Sequence, residues 1–291
     1  REESLLNVAI IGGAGRMGRW LTHHFISFGN EVTISDVKSD EAASFAKSVG
    51  ARFVKENIAC VDDADLTVVS TPIPVIPQVL REFSFNLKKN SIIAEISSLK
   101  SQIIPVLMEM ADRNVKPLSI HPLFGPGAKR LEEEKVALIP LVSPSSEVDL
   151  VKKIFPGVEV IVVDAEEHDR AMALTLSLPH FINIIFASTI SEEDLNVLKK
   201  LGGTTFTLQL TLSESVMNEE PGLYASIQMN NEYTTQYLDK FLSKCEMIKE
   251  CVAKRDERRF TEFYDLIRES LSKDEDFYKA YERMYRALEA F

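Results

Sequence analysis

The chain changes rhythm partway along its length. In its first half, short apolar and β-branched runs alternate with stretches whose apolar positions recur every three or four residues. Residues 7–12 (NVAIIG), 31–36 (EVTISD), 65–70 (DLTVVS), 91–96 (SIIAEI) and 115–120 (VKPLSI) read as strands, with further β-rich runs at 136–142 and 158–163. Between them, 17–28, 40–49, 76–83 and 101–113 have helical spacing. Such alternation predicts a mostly parallel sheet with helices on both faces. Near Asp164 the pattern shifts. From residue 166 onward the only prolines are Pro179 and Pro221 and the only glycines Gly202, Gly203 and Gly222, while amphipathic stretches fill 169–188, 192–201, 233–253 and 260–271. The last stretch, 277–291, sets Phe277, Tyr281, Met284 and Leu288 on one helix face. A length of 291 residues exceeds the usual single domain. Two domains are therefore expected, 1–164 and 165–291, the second all helical.

At the end of the first strand, Gly13-Ala14-Gly15-Arg16-Met17-Gly18 opens the first helix. A strand before and a helix after give this pattern its meaning. Gly13 is expected to permit the tight turn, Gly15 to let backbone approach a pyrophosphate, and Gly18 to let helix and strand pack closely. The helix N-terminus adds N–H groups and positive potential. Asp36 ends the second strand 18 residues after Gly18. A carboxylate there accepts from a ribose 2′-hydroxyl and repels a 2′-phosphate, so NAD is expected over NADP, a preference that Lys38 weakens. Ser70, Thr71 and Pro72 close a later strand at the same sheet edge and either wall the cofactor or merely terminate the strand. The first half thus reads as an α/β, Rossmann-type, doubly wound nucleotide domain, followed by an all-α helical C-terminal domain.

His121 ends an apolar strand in the rigid loop HPLFGP, 121–126. An imidazole titrates near neutrality and suits a group that takes a proton from a hydroxyl. A capping or core histidine is the competing reading. Ser97 and Ser98 end another strand on that edge. A hydroxyl there could bind substrate or orient His121, and Lys100 could meet a carboxylate, although capping of a helix near Ser101 is the stronger reading. Glu167-His168-Asp169 reads as a helix cap, His180 as a core residue, and His23 and His24 as a solvated face. No metal site is expected, because the five histidines lack ligand spacing with carboxylates or cysteines.

The net charge of −11 argues against general binding to nucleic acid or an anionic membrane, yet leaves room for a local cation cluster around an anionic substrate. No apolar run of membrane-spanning length and no signal peptide are read. Cys60, Cys245 and Cys251 are taken as reduced residues of a cytoplasmic protein. Because the chain opens on Arg rather than Met, a processed form or a piece of a longer polypeptide is expected.

Several blocks together resemble the prephenate dehydrogenase family, closest to the form fused to chorismate mutase in bacteria and to archaeal relatives. They are IGGAGRMGR at 11–19, SSLK at 97–100, HPLFGP at 121–126, EHD at 167–169 with Met172, LPHF at 178–181, and EPGLYA at 220–225 followed by Met229. The resemblance spans nearly the whole chain and implies NAD-dependent oxidative decarboxylation of prephenate to 4-hydroxyphenylpyruvate in tyrosine biosynthesis. It implies that His121 takes the hydroxyl proton with help from Ser98, that Lys100 helps bind substrate, and that His180 lines the cleft. One position departs from the family. Where an arginine commonly grips a substrate carboxylate, this chain has Ser215, and no Arg or Lys occurs from 201 to 237. Lys129, Arg130 or Arg170 is expected to substitute for it, unless the substrate is arogenate, whose amino group wants a carboxylate instead. Two rival readings are a 3-hydroxyacid dehydrogenase, which lacks its lysine here between Lys153 and Lys199, and a non-catalytic nicotinamide sensor that regulates a partner. The apolar stripe at 277–291 suggests a homodimer through the helical half. Chorismate mutase or another pathway module is a candidate for the remainder of a longer protein.

Overall fold

The computed structural model describes residues 5–289. Eight strands form one sheet: β1 (Asn7–Ile11), β2 (Glu31–Ser35), β3 (Arg52–Phe53), β4 (Leu66–Val69), β5 (Ile92–Glu95), β6 (Lys116–Pro122), β7 (Lys135–Ile139) and β8 (Glu159–Val162). Their order is β3-β2-β1-β4-β5-β6-β7-β8, parallel throughout except that β7 runs antiparallel to β6. Strands buried on both faces read as unbroken apolar runs. In β1, Val8, Ala9, Ile10 and Ile11 are all buried, and Leu66, Thr67, Val68 and Val69 of β4 pack beside them. The strand order reverses between β1 and β4, and in open α/β sheets ligands bind beyond the strand carboxyl ends at such a reversal. Because β1, β4, β5 and β6 are mutually parallel, the segments 12–15, 70–72, 96–101 and 123–130 all leave from that one edge.

All seven expected strands are present. The two-residue β3 was not anticipated, being too short to show a period. Helices Arg16–Ser27, Ser39–Val49, Ile76–Phe83 and Ile104–Ala111 occupy the expected stretches. Helix Pro144–Ile154 was not anticipated. Its start is fixed by buried Glu147, whose carboxylate accepts from the backbone N–H groups of Leu141, Val142 and Ser143 at 2.7–2.9 Å. His24 corrects the solvated reading. It is buried near the end of helix Arg16–Ser27, its ring stacks on Trp20 at 5.2 Å, and its Nε2 bonds the Ile154 carbonyl at 2.7 Å. His23 is exposed, as read.

The compact units divide at a different place from 164/165. One comprises the chain up to Met172 together with Ala225–Asn231; the other comprises Ala173–Tyr224 and the chain from Glu232 onward. Helix Ala165–Met172 belongs to the first unit because its polar residues are bonded there, as described below. Asn231 shares that unit and donates from Nδ2 to the Asp169 carbonyl at 2.7 Å.

The second unit is helical. Asn183 on Leu178–Ile190 accepts from Gln209 and Ser213 on Thr204–Met217, at 2.8 and 2.9 Å, and so joins the two helices. Helix 204–217 was not anticipated: Phe206, Leu208, Leu210 and Leu212 alternate with polar residues, a period that suits a strand as well. Helix Leu178–Ile190 is mostly apolar, yet Asn183 is its one buried residue. The stretch Ala165–Ile190 is long and apolar enough to cross a membrane by length and composition, with a mean hydropathy of 1.5 over 18 residues. That corrects the expectation of no such run; Pro179, His180 and Asn183 interrupt the apolar sequence there. Helix Ala280–Leu288 has no buried residue; Ala290 and Phe291, which end the predicted stripe, lie outside the described residues.

Candidate active site

The glycine loop is bare for steric reasons. Gly12 has φ +89°, and a Cβ there would sit 2.5 Å from the Ser70 carbonyl oxygen. The left-handed turn thus falls one residue before Gly13, where it was expected. Gly13 is required instead by packing, since its Cβ would lie 2.6 Å from Ile34 Cβ. A Cβ on Gly18 would come within 2.1 Å of the Gly12 oxygen, so helix and loop pack only with glycine there. Asp36 folds onto this loop: Oδ2 accepts from Ala14 N at 2.9 Å and Oδ1 from Lys38 N at 2.8 Å. Arg16 and Met17 form the first turn of helix Arg16–Ser27, whose N-terminus no side chain caps. Its first N–H groups have no partners within the helix. Beside Gly12, Thr71 Oγ1 is buried without a hydrogen-bond partner among the described residues. Ser70 N donates to the Ile11 carbonyl at 2.8 Å, tying the β4 exit to the loop, and Pro72 leads into a short helical turn. A bare loop, uncapped helix end, waiting hydroxyl and terminal carboxylate fit a dinucleotide.

On the same edge His121 is buried in β6, and its Nδ1 lies 3.1 Å from Nε2 of buried His168. His168 Nδ1 lies 2.8 Å from Asp169 Oδ1. These contacts fix the tautomers. An ionised carboxylate only accepts, so His168 donates from Nδ1, and in the neutral ring its Nε2 is left to accept. His121 then donates from Nδ1, which leaves a lone pair on its Nε2. Asp169 also accepts from Lys100 N at 3.0 Å, Ser101 N at 2.9 Å and Ser101 Oγ at 2.5 Å. Burial pushes the Asp169 carboxyl up, but the bonds from His168, Ser101 and Lys100 outweigh it and hold the group below its ordinary range. Burial holds the His121 imidazole well below its ordinary value, and the Lys100 ammonium and His168 add to the effect. At neutral pH the ring is uncharged and able to accept.

Lys100 corrects an expectation. It is fully buried, and Nζ donates to Glu95 Oε1 and to the Ile120 carbonyl, both at 2.6 Å. Fully buried and bonded twice within the protein, this ammonium presents no exposed surface to a substrate carboxylate. Burial pushes its pKa down against the pull of Glu95 and Asp169. Fully buried Glu95 also accepts from Ser97 N at 2.9 Å and Ser119 Oγ at 2.5 Å, and Ser97 Oγ lies 2.5 Å from its Oε2. Ser97 therefore serves Glu95 rather than a helix cap, and the following helix starts only at Ile104. Ser98, half-buried, makes no hydrogen bond to His121; the partner of that ring is His168. Lys129, Arg130 and Arg170 are exposed in the first unit, and Arg130 pairs with Glu133 at 2.8 Å. In the second unit His180 is half-buried. Its ring meets Tyr224 edge-on at 4.6 Å, its Nδ1 has no hydrogen-bond partner among the described residues, and burial lowers its pKa. Ser215 is exposed and donates to the Leu212 carbonyl. Sequence reasoning missed Glu95 and Ser119, and it read His168 and Asp169 as a cap. The EHD block was the available signal.

The reversed strand order, glycine loop and strand-end acid define a Rossmann-type dinucleotide-binding protein. Residues 25–176 match the family described as prephenate dehydrogenase, nucleotide-binding domain, and 164–266 match prephenate dehydrogenase, dimerization domain. The chain belongs to the prephenate dehydrogenase family. It is 26% identical over 262 residues to a protein of Methanocaldococcus jannaschii named probable arogenate/prephenate dehydrogenase, covering 88% of this chain but only 58% of that one. The fold resembles the crystal structure of prephenate dehydrogenase from A. aeolicus in complex with hydroxyphenyl propionate and NAD+, with a TM-score of 0.73 at 19% identity over 94% of this chain and 100% of that one. Synechocystis arogenate dehydrogenase gives a TM-score of 0.66 at 14% identity, over 92% and 99% of the two chains.

Lys100→Met strands a buried carboxylate and should cost about 3–5 kcal/mol in urea unfolding. Adding Glu95→Gln should recover at least about half of that loss, because the pair is then removed together. A double variant no more stable than the single one would contradict a buried ion pair.

Proposed function

We propose that this chain is an NAD-dependent dehydrogenase that oxidatively decarboxylates a cyclohexadienyl substrate, with prephenate going to 4-hydroxyphenylpyruvate. The observation that carries the reading is a buried, neutral imidazole at a ligand-binding sheet edge, with one nitrogen engaged and the other left basic. The glycine loop, the first turn of helix Arg16–Ser27, Thr71 and Asp36 would hold the dinucleotide, and Asp36 favours NAD over NADP by repelling a 2′-phosphate. When bound, that group supplies the acceptor for a hydride. His121 Nε2 takes the proton of the ring hydroxyl as the C–H bond at that carbon breaks. Loss of the ring carboxylate as CO₂ then leaves an aromatic ring, which makes the step strongly favourable. The remaining work is placement: holding the ring against the base and keeping water away.

A dianionic substrate needs cations, and the buried Lys100 is spent elsewhere. Exposed Lys129, Arg130 and Arg170 are the proposed replacements, while Ser98 and His180 are proposed to line the substrate's surroundings. Exposed Ile185 on helix Leu178–Ile190 and exposed Tyr281 and Tyr285 on helix Ala280–Leu288 support a homodimer through the helical half.

Purified protein mixed with prephenate or arogenate, and with NAD⁺ and NADP⁺ in parallel, should reduce NAD⁺ fastest. His121→Asn should lower turnover on the order of 1,000-fold while cofactor still binds. Full turnover in that variant removes the base; silence with both substrates favours a regulatory dinucleotide-binding protein. Alanine at Lys129, Arg130 or Arg170 should raise the substrate KM about tenfold for at least one of the three. Unchanged values at all three would reject the replacement. In solution at micromolar concentration, light scattering should give twice the chain mass; a monomer mass would count against the dimer.

A further inference from the structure

We propose that the proton taken from the substrate comes to rest on His168, relayed through His121, so that His168 and Asp169 form the positioning pair behind the base. The inference rests on the proposed dehydrogenase reading and deepens it. His121 alone is a poor place to leave a positive charge: it is buried, and the Lys100 ammonium stands beside it on the loop that follows β5. Among the described residues, the only carboxylate partnered to this histidine pair is Asp169, 2.8 Å from the far nitrogen of the second ring. Glu95, the other buried carboxylate of the edge, is already matched to Lys100. The charge is best placed where His168 and Asp169 become an ion pair.

The step balances without a further reactant. The substrate O–H bond breaks as an N–H bond forms at His121 Nε2. The N–H bond at His121 Nδ1 breaks as one forms at His168 Nε2, across the 3.1 Å contact. His121 ends neutral with its tautomer reversed, and His168 ends as imidazolium against the Asp169 carboxylate. The electron pair of the breaking C–H bond leaves as hydride to the nicotinamide dinucleotide of the reading above. Among the described residues, the charged groups that face the two rings are Lys100 on the side of His121 and Asp169 on the side of His168. Because the two rings are in contact, the relay makes the acid limb of turnover depend on both of them.

His168→Gln keeps an acceptor for the His121 Nδ1–H but cannot hold a proton. Turnover should fall on the order of 100-fold, with substrate KM and NAD⁺ affinity within about twofold. The acid limb of kcat should also move to lower pH, because His121 by itself, desolvated and beside an ammonium, protonates only in more acidic solution. Unchanged turnover and limb would overturn the relay. A slower enzyme with its limb unmoved would do the same, since it would show a role in packing alone. If His168→Gln does not fold, imidazole ¹⁵N shifts of the unaltered protein through a pH titration decide. Uptake at His168 Nε2 ahead of His121 supports the relay, and the opposite order overturns it. His121→Asn separates this inference from the reading beneath it. If that variant keeps turnover, the base reading has failed; if it loses turnover while His168→Gln keeps it, only the relay has.

Discussion

The Asp169 carboxylate is the constraint around which this edge of the molecule is arranged. It receives the backbone N–H groups of Lys100 and Ser101, the Ser101 hydroxyl and the His168 ring. Two oxygens offer about four lone-pair sites, so the group is saturated. A saturated, buried carboxylate is a structural joint: it has no capacity left for a substrate ammonium or a metal ion. It joins helix Ala165–Met172 to the turn after β5, and that explains why this helix clusters with the sheet rather than with the helices that follow it in sequence. Without those bonds, nothing in the helix's composition would favour one unit over the other.

Lys100 links this joint to a second one. Its backbone N–H serves Asp169, while its ammonium serves Glu95 and the carbonyl of Ile120, the residue before His121. Burying an ion pair gains little stability over an apolar pair of similar volume. What it supplies here is position. The ends of β5 and β6 are held together from beneath by Glu95 and Lys100, and from the side by Asp169 and His168. Each contact confines His121, by its preceding carbonyl on one side and its ring nitrogen on the other. The same ammonium that fixes the strand also adds to the burial that disfavours charge on the imidazole, so one residue bears on both the position of the ring and its charge.

Much of the fold was legible because apolar runs and helical periods are local signals. β1, β4, β5 and β6 are largely buried strands in which apolar residues predominate. Two failures have physical causes. Helix Thr204–Met217 carries alternating apolar residues, and only the bonds from Gln209 and Ser213 to Asn183 show why it is helical. Lys100 and His168 were misjudged because burial and partner choice are set by residues far along the chain: 20 positions separate Lys100 from Ile120, and 47 separate His121 from His168. A lysine beside a serine pair at a strand end looks like a hand for a carboxylate. Only the packed edge shows that a protein carboxylate already holds it. His24 failed for the same reason, since its partner carbonyl at Ile154 is 130 residues away.

The sheet itself sets what can lie between the two halves of the site. The glycine loop follows β1, the Ser70–Pro72 wall follows β4, and His121 ends β6, with β5 between the last two. Neighbouring strands stand about 4.8 Å apart, so roughly 10 Å separates the end of β4 from the end of β6. Between them lies the end of β5. The residues at that end, Glu95 and Ser97, point their polar atoms inward to the Lys100 joint and do not bond upward. The polar groups at the end of β5 are therefore matched within the protein. On the reading proposed above, a substrate ring at this edge would meet polarity from the dinucleotide loop and the imidazole, which favours chemistry at a carbon held between an acceptor of hydride and an acceptor of protons.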